Sequence, residues 1–285
     1  MTEELFSDSA CTVGEGPRWN CTERTLYWVD MAVGEVLRQR AGAPVDGFER
    51  FSPGLGKIGA VEFASDGRLF LFTERCEVHV ADFLGVPRLV GHIPGYESRR
   101  FNDVLNVGAG VFFCGVAPGG QVGKGELWRF DAKRGRFDVV ESSVEGMPNG
   151  MAVSPDRRTM YFVVSDERAL YAYNFNDIAK TVSGRRIVCR DFAPPGVPDG
   201  MCVDPADGSL YIAVWDGYRI ERRSSAGTLM GTIQFPMAKV TSACIGDDSV
   251  FVTTASRSER TDNPDTKYAG GVFVIRRDKG DGVKK

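Results

Sequence analysis

Four short segments bring oxygen-bearing side chains to the edge of strand-like runs: Gly14-Glu15-Gly16-Pro17, Arg100-Phe101-Asn102-Asp103, Pro148-Asn149-Gly150-Met151 and Pro198-Asp199-Gly200-Met201. Glu15, Asn149 and Asp199 supply carboxylate and amide oxygens, the ligand set of a hard divalent cation such as Ca²⁺, Mg²⁺ or Mn²⁺, with Zn²⁺ also compatible. Two carboxylates offset the charge of a divalent ion, and the coordination positions that the protein leaves open remain for water or substrate. The competing reading takes Pro-Asn-Gly and Pro-Asp-Gly as ordinary turns whose side chains cap their own backbone. Met147-Pro-Asn-Gly-Met-Ala-Val-Ser-Pro-Asp and Val197-Pro-Asp-Gly-Met-Cys-Val-Asp-Pro-Ala are nearly identical and one repeat apart, which puts Asn149 and Asp199 at matching positions. That match leaves the two readings level.

Other chemistries are short of residues. His79 and His92 are the only histidines, so one chain cannot build a zinc site with three histidine ligands. Neither accompanies a recognisable nucleophile motif, as a Ser-His-Asp triad would need. Both read as strand or loop histidines with a satisfied hydrogen bond. The seven cysteines (Cys11, Cys21, Cys76, Cys114, Cys189, Cys202 and Cys244) are odd in number and contain no Cys-x-x-Cys pair. Several sit in apolar runs such as Phe112-Phe113-Cys114, where a reduced thiol serves as a small hydrophobe.

The elements that must position these residues announce themselves by repetition. Six aromatic or aliphatic runs recur: Leu26-Tyr-Trp-Val, Leu69-Phe-Leu-Phe, Val111-Phe-Phe-Cys, Met160-Tyr-Phe-Val, Leu210-Tyr-Ile-Ala and Val250-Phe-Val-Thr. They are spaced by about 40 to 50 residues, a propeller-blade period. Turn signals precede four of them, in Ser65-Asp-Gly-Arg, Pro155-Asp-Arg-Arg, Asp207-Gly-Ser and Gly246-Asp-Asp-Ser. Each repeat has room for four short strands, so the spacing predicts an all-β, six-bladed β-propeller of four-stranded antiparallel blades. No long helical pattern competes, and the best candidate, around Asn176 to Thr181, reads as a loop or single turn. Gly270-Gly-Val-Phe-Val-Ile-Arg can close the ring by pairing with an N-terminal strand, which removes an exposed sheet edge. No Pro-, Gly- or Ser-rich linker divides the chain, so residues 1–285 read as one propeller domain.

Composition narrows the partners. The 285 residues carry 35 Lys+Arg against 38 Asp+Glu, a net charge of −3, and 42% are hydrophobic. That is ample apolar mass for a core, and it lacks the basic excess on which nucleic-acid binding depends. No apolar run reaches the roughly 18 residues of a spanning helix. The acidic start, Met-Thr-Glu-Glu-Leu-Phe-Ser-Asp, has neither the basic end nor the apolar stretch of a secretory signal. The sequence therefore reads as cytoplasmic, with no nucleic-acid, membrane or obligate protein partner.

From Gly14-Glu-Gly-Pro to Gly270-Gly-Val-Phe the chain resembles the SMP-30/gluconolactonase family, which includes regucalcin and bacterial sugar lactonases. The resemblance implies a six-bladed propeller that binds one divalent metal (Ca, Mg, Mn, Zn or Fe) through Glu15, Asn149 and Asp199. It places Arg100 and Asn102 on the substrate hydroxyls, with Asn102 as an alternative metal ligand. A family glutamate that contacts substrate falls on Gln121, in Gly119-Gly-Gln-Val-Gly; a neutral amide there would still hydrogen-bond hydroxyls but would not repel an anionic group. The chain departs from the family's Asn-Asp-Gly continuation, since Val104 follows Asp103 and Asn106 replaces a later aspartate.

The reaction so implied is hydrolysis of a sugar-derived lactone to its aldonic acid, with the carbonyl polarised by a Lewis acid. Asp199, touching both metal and water, would be the general base, while Arg100 and Asn102 orient the ring. Two alternatives remain: a metal-dependent hydrolase of other esters or organophosphates, and a non-catalytic propeller that binds metal or ligand.

Overall fold

The computed structural model describes residues 3–119, 123–256 and 266–277. These form twenty-four strands, and no helix occurs among the described residues. The first strand, β1 (Glu3–Ser7), is set apart from the blades that follow it. Blade 1 is β2 (Gly14–Asn20), β3 (Thr25–Asp30), β4 (Glu35–Arg40) and β5 (Glu49–Phe51). Blade 2 is β6 (Ile58–Phe63), β7 (Leu69–Thr73), β8 (Glu77–Ala81) and β9 (Arg88–His92). Blade 3 is β10 (Phe101–Gly108), β11 (Val111–Val116), β12 (Gly125–Asp131) and β13 (Arg136–Val144). Blade 4 is β14 (Pro148–Val153), β15 (Thr159–Val164), β16 (Ala169–Asn176) and β17 (Thr181–Cys189). Blade 5 is β18 (Val197–Val203), β19 (Leu210–Trp215), β20 (Arg219–Arg223) and β21 (Leu229–Gln234). Blade 6 combines β22 (Val240–Gly246), β23 (Ser249–Thr254) and β24 (Val272–Arg276) with β1 as its fourth strand. Every pairing is antiparallel, and the ring is the six-bladed propeller that the repeats predict.

The six aromatic runs are the second strands of the blades, and their composition follows from a two-sided environment. Successive side chains of a strand alternate between faces, and each face of a blade meets a different neighbour. Along β3, Leu26 and Trp28 pack toward blade 6, while Tyr27 and Val29 pack toward blade 2. Along β11, Phe112 and Cys114 join Phe72, Phe101 and Phe130 between blades 2 and 3, whereas Phe113 faces Met151 and Phe162 of blade 4. Both faces are apolar because both are buried, and the resulting hydrophobic clusters lie between blades. Outer strands such as β17 and β21 are mostly exposed, and their sequences are correspondingly polar or mixed.

Ring closure occurs where expected. Glu3, Glu4 and Leu5 pair with Ile275, Val274 and Phe273, and Cys11 N donates to Gly270 O at 2.8 Å. The residues after Asn176 form a tight turn leading into β17. The cysteines are free thiols; burial pushes Cys11 up to about 11 and Cys76 and Cys244 up to about 12, which keeps these three inert. One expectation fails in part. His79 and His92 lie on strands, but the buried Nδ1 of His79 has no hydrogen-bond partner, and burial lowers its pKa. No helix among the described residues is long and apolar enough to cross a membrane.

Candidate active site

All six innermost strands depart from regular pairing at the same place. Against two residues of the second strand, β2 spends three from Glu15 to Arg18, β10 from Phe101 to Val104, β14 from Pro148 to Met151 and β18 from Pro198 to Met201. In β6 and β22 the extra residue falls between Ile58 and Ala60 and between Val240 and Ser242. A bulge re-aims the side chain that it carries. Here the bulges hold Gly59, Asn102, Asn149, Asp199 and Thr241, while in β2 Glu15 is the last paired residue, opposite Val29, and Gly16 and Pro17 form the bulge. The turn reading of Pro-Asn-Gly and Pro-Asp-Gly is thereby corrected: both segments are strand, and the bulge supplies the irregularity that the glycines signalled.

Glycine is required beside these residues because neighbouring inner strands nearly touch. A Cβ on Gly150 would meet the backbone of Asp199 and Met201, and one on Gly200 would overlap the Ser242 side chain. The close approach delivers the predicted residues of blades 1, 3, 4 and 5 to one cavity of about 250 Å³, lined by Glu15, Arg100, Asn102, Asn149 and Asp199. Val13, Met31, Met147, Val197 and Trp215 form its apolar wall, with Ser165 and Asp166 completing it. Gln121 lies outside the described residues.

Hydrogen bonds fix how several of these groups are presented. The Asn149 amide nitrogen donates to Ser165 Oγ at 3.0 Å, which leaves its oxygen as the atom available to a cation. Both ends of the Asn102 amide are engaged: Nδ2 donates to Pro148 O at 2.9 Å, and Oδ1 accepts from Arg100 Nη1 at 2.6 Å. The guanidinium beside Asn102 Oδ1 makes that oxygen a poor cation ligand, by simple like-charge repulsion. Asp199, Asn149 and Asn102 are 4%, 7% and 7% exposed, so a ligand here meets oriented groups that solvent does little to screen.

Electrostatics favour a cation. Burial, together with the neighbouring Asp103 carboxylate, pushes Glu15 up to about 8. Burial likewise raises Glu62 and Asp103, although Arg18 ion-pairs with both, at 2.6 and 3.7 Å. When ionised, Glu15, Asp166 and Asp199 against Arg100 leave two negative charges among the residues that line the cavity. No group of three or more His, Cys, Asp and Glu that could hold a metal ion occurs among the described residues. Glu15, Asn149 and Asp199 instead offer an all-oxygen set, which fits a hard divalent cation.

Ser165, Trp215 and Met31 escaped the reading of the sequence. Each falls at or just beyond the end of a second strand, after Met160-Tyr-Phe-Val-Val, in Leu210-Tyr-Ile-Ala-Val-Trp and after Leu26-Tyr-Trp-Val-Asp. The repeat phase that aligned Asn149 with Asp199 would have aligned these ends too.

The chain is thus a six-bladed propeller that gathers carboxylate and amide oxygens from four blades around one cavity. Residues 13–256 match the SMP-30/gluconolactonase/LRE-like region, and the chain belongs to that family. It is 37% identical over 259 residues to pentonolactonase XacC of Haloferax volcanii, covering 90% of this chain and 86% of that one. It is 31% identical over 274 residues to 6-deoxy-6-sulfogluconolactonase of Pseudomonas putida, covering 93% and 91%. Among solved structures, the calcium-binding protein regucalcin from Agrobacterium tumefaciens superposes with a TM-score of 0.85 at 19% identity, over 96% of this chain and 93% of that one, and so shares the fold.

Proposed function

We propose that this chain hydrolyses a sugar-derived lactone to its aldonic acid, with one divalent cation held by Glu15, Asn149 and Asp199. The kinship with two sugar lactonases supports the lactone-hydrolase reading. The observation that carries the site assignment is the convergence of Glu15, Arg100, Asn102, Asn149 and Asp199, from four blades, on one cavity. A divalent cation bound there supplies Lewis-acid polarisation of the carbonyl and lowers the pKa of water.

The chain's own residues do the rest. Asp199 accepts the proton of the attacking water, the role open to a buried carboxylate that lines the cavity. Asn149 presents its oxygen because Ser165 occupies its nitrogen. Arg100 donates to ring hydroxyls; Asn102, held by Pro148 O and Arg100, orients that guanidinium and does not serve as a metal ligand. Trp215 and the methionines exclude bulk water from the bound ring. If Gln121 reaches the substrate, it adds a neutral amide that accepts or donates to hydroxyls.

The test is a pH-indicator assay on metal-stripped protein with a panel of aldonolactones, with and without each of Ca²⁺, Mg²⁺, Mn²⁺, Zn²⁺ and Fe²⁺. Acid release above the buffer rate that appears only on adding a cation is the expected result. Failure of every lactone with every cation would remove the proposal.

A further inference from the structure

We propose that Thr241 and Ser165 are positioning residues for the cation site, each anchoring from a neighbouring blade the backbone just ahead of a ligand. The inference rests on the reading of Glu15, Asn149 and Asp199 as ligands. Thr241 occupies in β22 the bulged position that Asn149 and Asp199 occupy in their own strands, and Glu15 borders the bulge of β2. Its hydroxyl turns to blade 1 and donates to Gly14 O at 2.6 Å, immediately before Glu15. A hydroxyl has one proton to give. Thr241 therefore accepts from the Thr253 hydroxyl, 2.8 Å behind it. Both threonines are fully buried, so neither group has water as a substitute partner.

Ser165 does the same at the seam between blades 4 and 5 and joins two ligands at once. Its Oγ donates to Pro198 O at 2.7 Å, immediately before Asp199, and accepts from the Asn149 amide at 3.0 Å. One hydroxyl thus orients the Asn149 side chain and holds the backbone that carries Asp199. Removing it would take from the buried Asn149 amide the acceptor 3.0 Å away and from Pro198 O its donor in the neighbouring blade.

The physical need comes from the bulges. Asn149 and Asp199 are unpaired in their own ladders, and Glu15 stands at the edge of its bulge, so the sheets only partly fix where these side chains go. Hydrogen bonds from the next blade restore that constraint and make ligand spacing a property of the seams between blades. Outer partners of metal ligands typically contribute about 10- to 100-fold in affinity. Thr241 and Ser165 act at one remove, through the main chain and, for Asn149, through the amide nitrogen.

The experiment titrates metal-stripped wild type, Thr241→Val, Ser165→Ala, Thr241→Ser and Glu15→Gln with Mn²⁺, Ca²⁺ and Zn²⁺ separately, by calorimetry. Melting of each metal-free protein is measured alongside, and a core variant such as Ile212→Val serves as the reference for a stability loss remote from the site. The expected result is affinity lowered about 10- to 100-fold by Thr241→Val and by Ser165→Ala, with Thr241→Ser restored toward wild type. If Thr241→Val does not fold, Thr253→Val removes the hydroxyl behind it and is expected to weaken binding in the same direction. Glu15→Gln abolishing binding while Thr241→Val and Ser165→Ala bind as tightly as wild type, or no more weakly than the core variant, overturns this inference alone. Unchanged affinity in Glu15→Gln overturns the ligand assignment and this inference with it.

Discussion

Asp199 and Arg100 share one cavity, yet the roles assigned to them leave different kinetic marks. Asp199→Asn keeps the shape and an oxygen but removes the base, so at saturating cation kcat is expected to fall about 10²–10⁴-fold. Normal turnover in that variant would exclude Asp199 as the base. Arg100 acts on substrate hydroxyls, so Arg100→Ala should raise KM for sugar lactones while leaving simple aryl esters nearly untouched. Equal losses on a lactone panel and an ester panel would contradict that assignment. That Asn149 and Asp199 share a cavity was legible in the sequence because the repeat put them at matching positions, whereas Arg100 was assigned through the family resemblance. The engagement of both ends of Asn102 was not legible, since its partners Arg100 and Pro148 O come from a local turn of the chain and from the next blade.

At the scale of elements, the sequence announced second strands far more clearly than inner ones. Runs such as Val111-Phe-Phe-Cys are apolar on both faces and stand out without an alignment. Inner strands such as β14 and β18 carry Pro, Gly and polar residues and look like turns, because their bulges make them irregular. Only the matched copies one repeat apart hinted otherwise. Glycine in these strands answers a steric demand that can be tested. Gly200→Ala forces a methyl group into the Ser242 side chain, and a loss of about 1–3 kcal/mol is expected in denaturant unfolding. Ser242→Ala in the same protein should recover part of it, because the overlapping atoms include the Ser242 hydroxyl. A Gly200→Ala protein of undiminished stability would show that adjacent inner strands can part without cost.

For the whole molecule, the ring was predictable from six recurring runs, and its closure from the Gly270-Gly-Val-Phe-Val-Ile-Arg segment, whose strand pairs with β23 on one side and with β1 on the other. The placement of the hydrophobic clusters between blades has a consequence for how the protein comes apart. Met151, for example, packs with Phe113 and Phe162 across the seam between blades 3 and 4, and Phe72 with Phe112 and Phe130 across that between blades 2 and 3. Each blade is half of two cores and owns none, so detaching one strips both of its neighbours. Partial melting therefore gains little chain entropy for the apolar surface it exposes, and intermediates with four or five blades are disfavoured. Scanning calorimetry of the full chain should give a single peak whose calorimetric and van't Hoff enthalpies agree. Two resolved peaks would mean that some seam is weak enough to act as a domain boundary. With a single peak, the molecule is cooperative because its blades are individually insolvent in apolar contact, and an arc of the ring has no native state of its own.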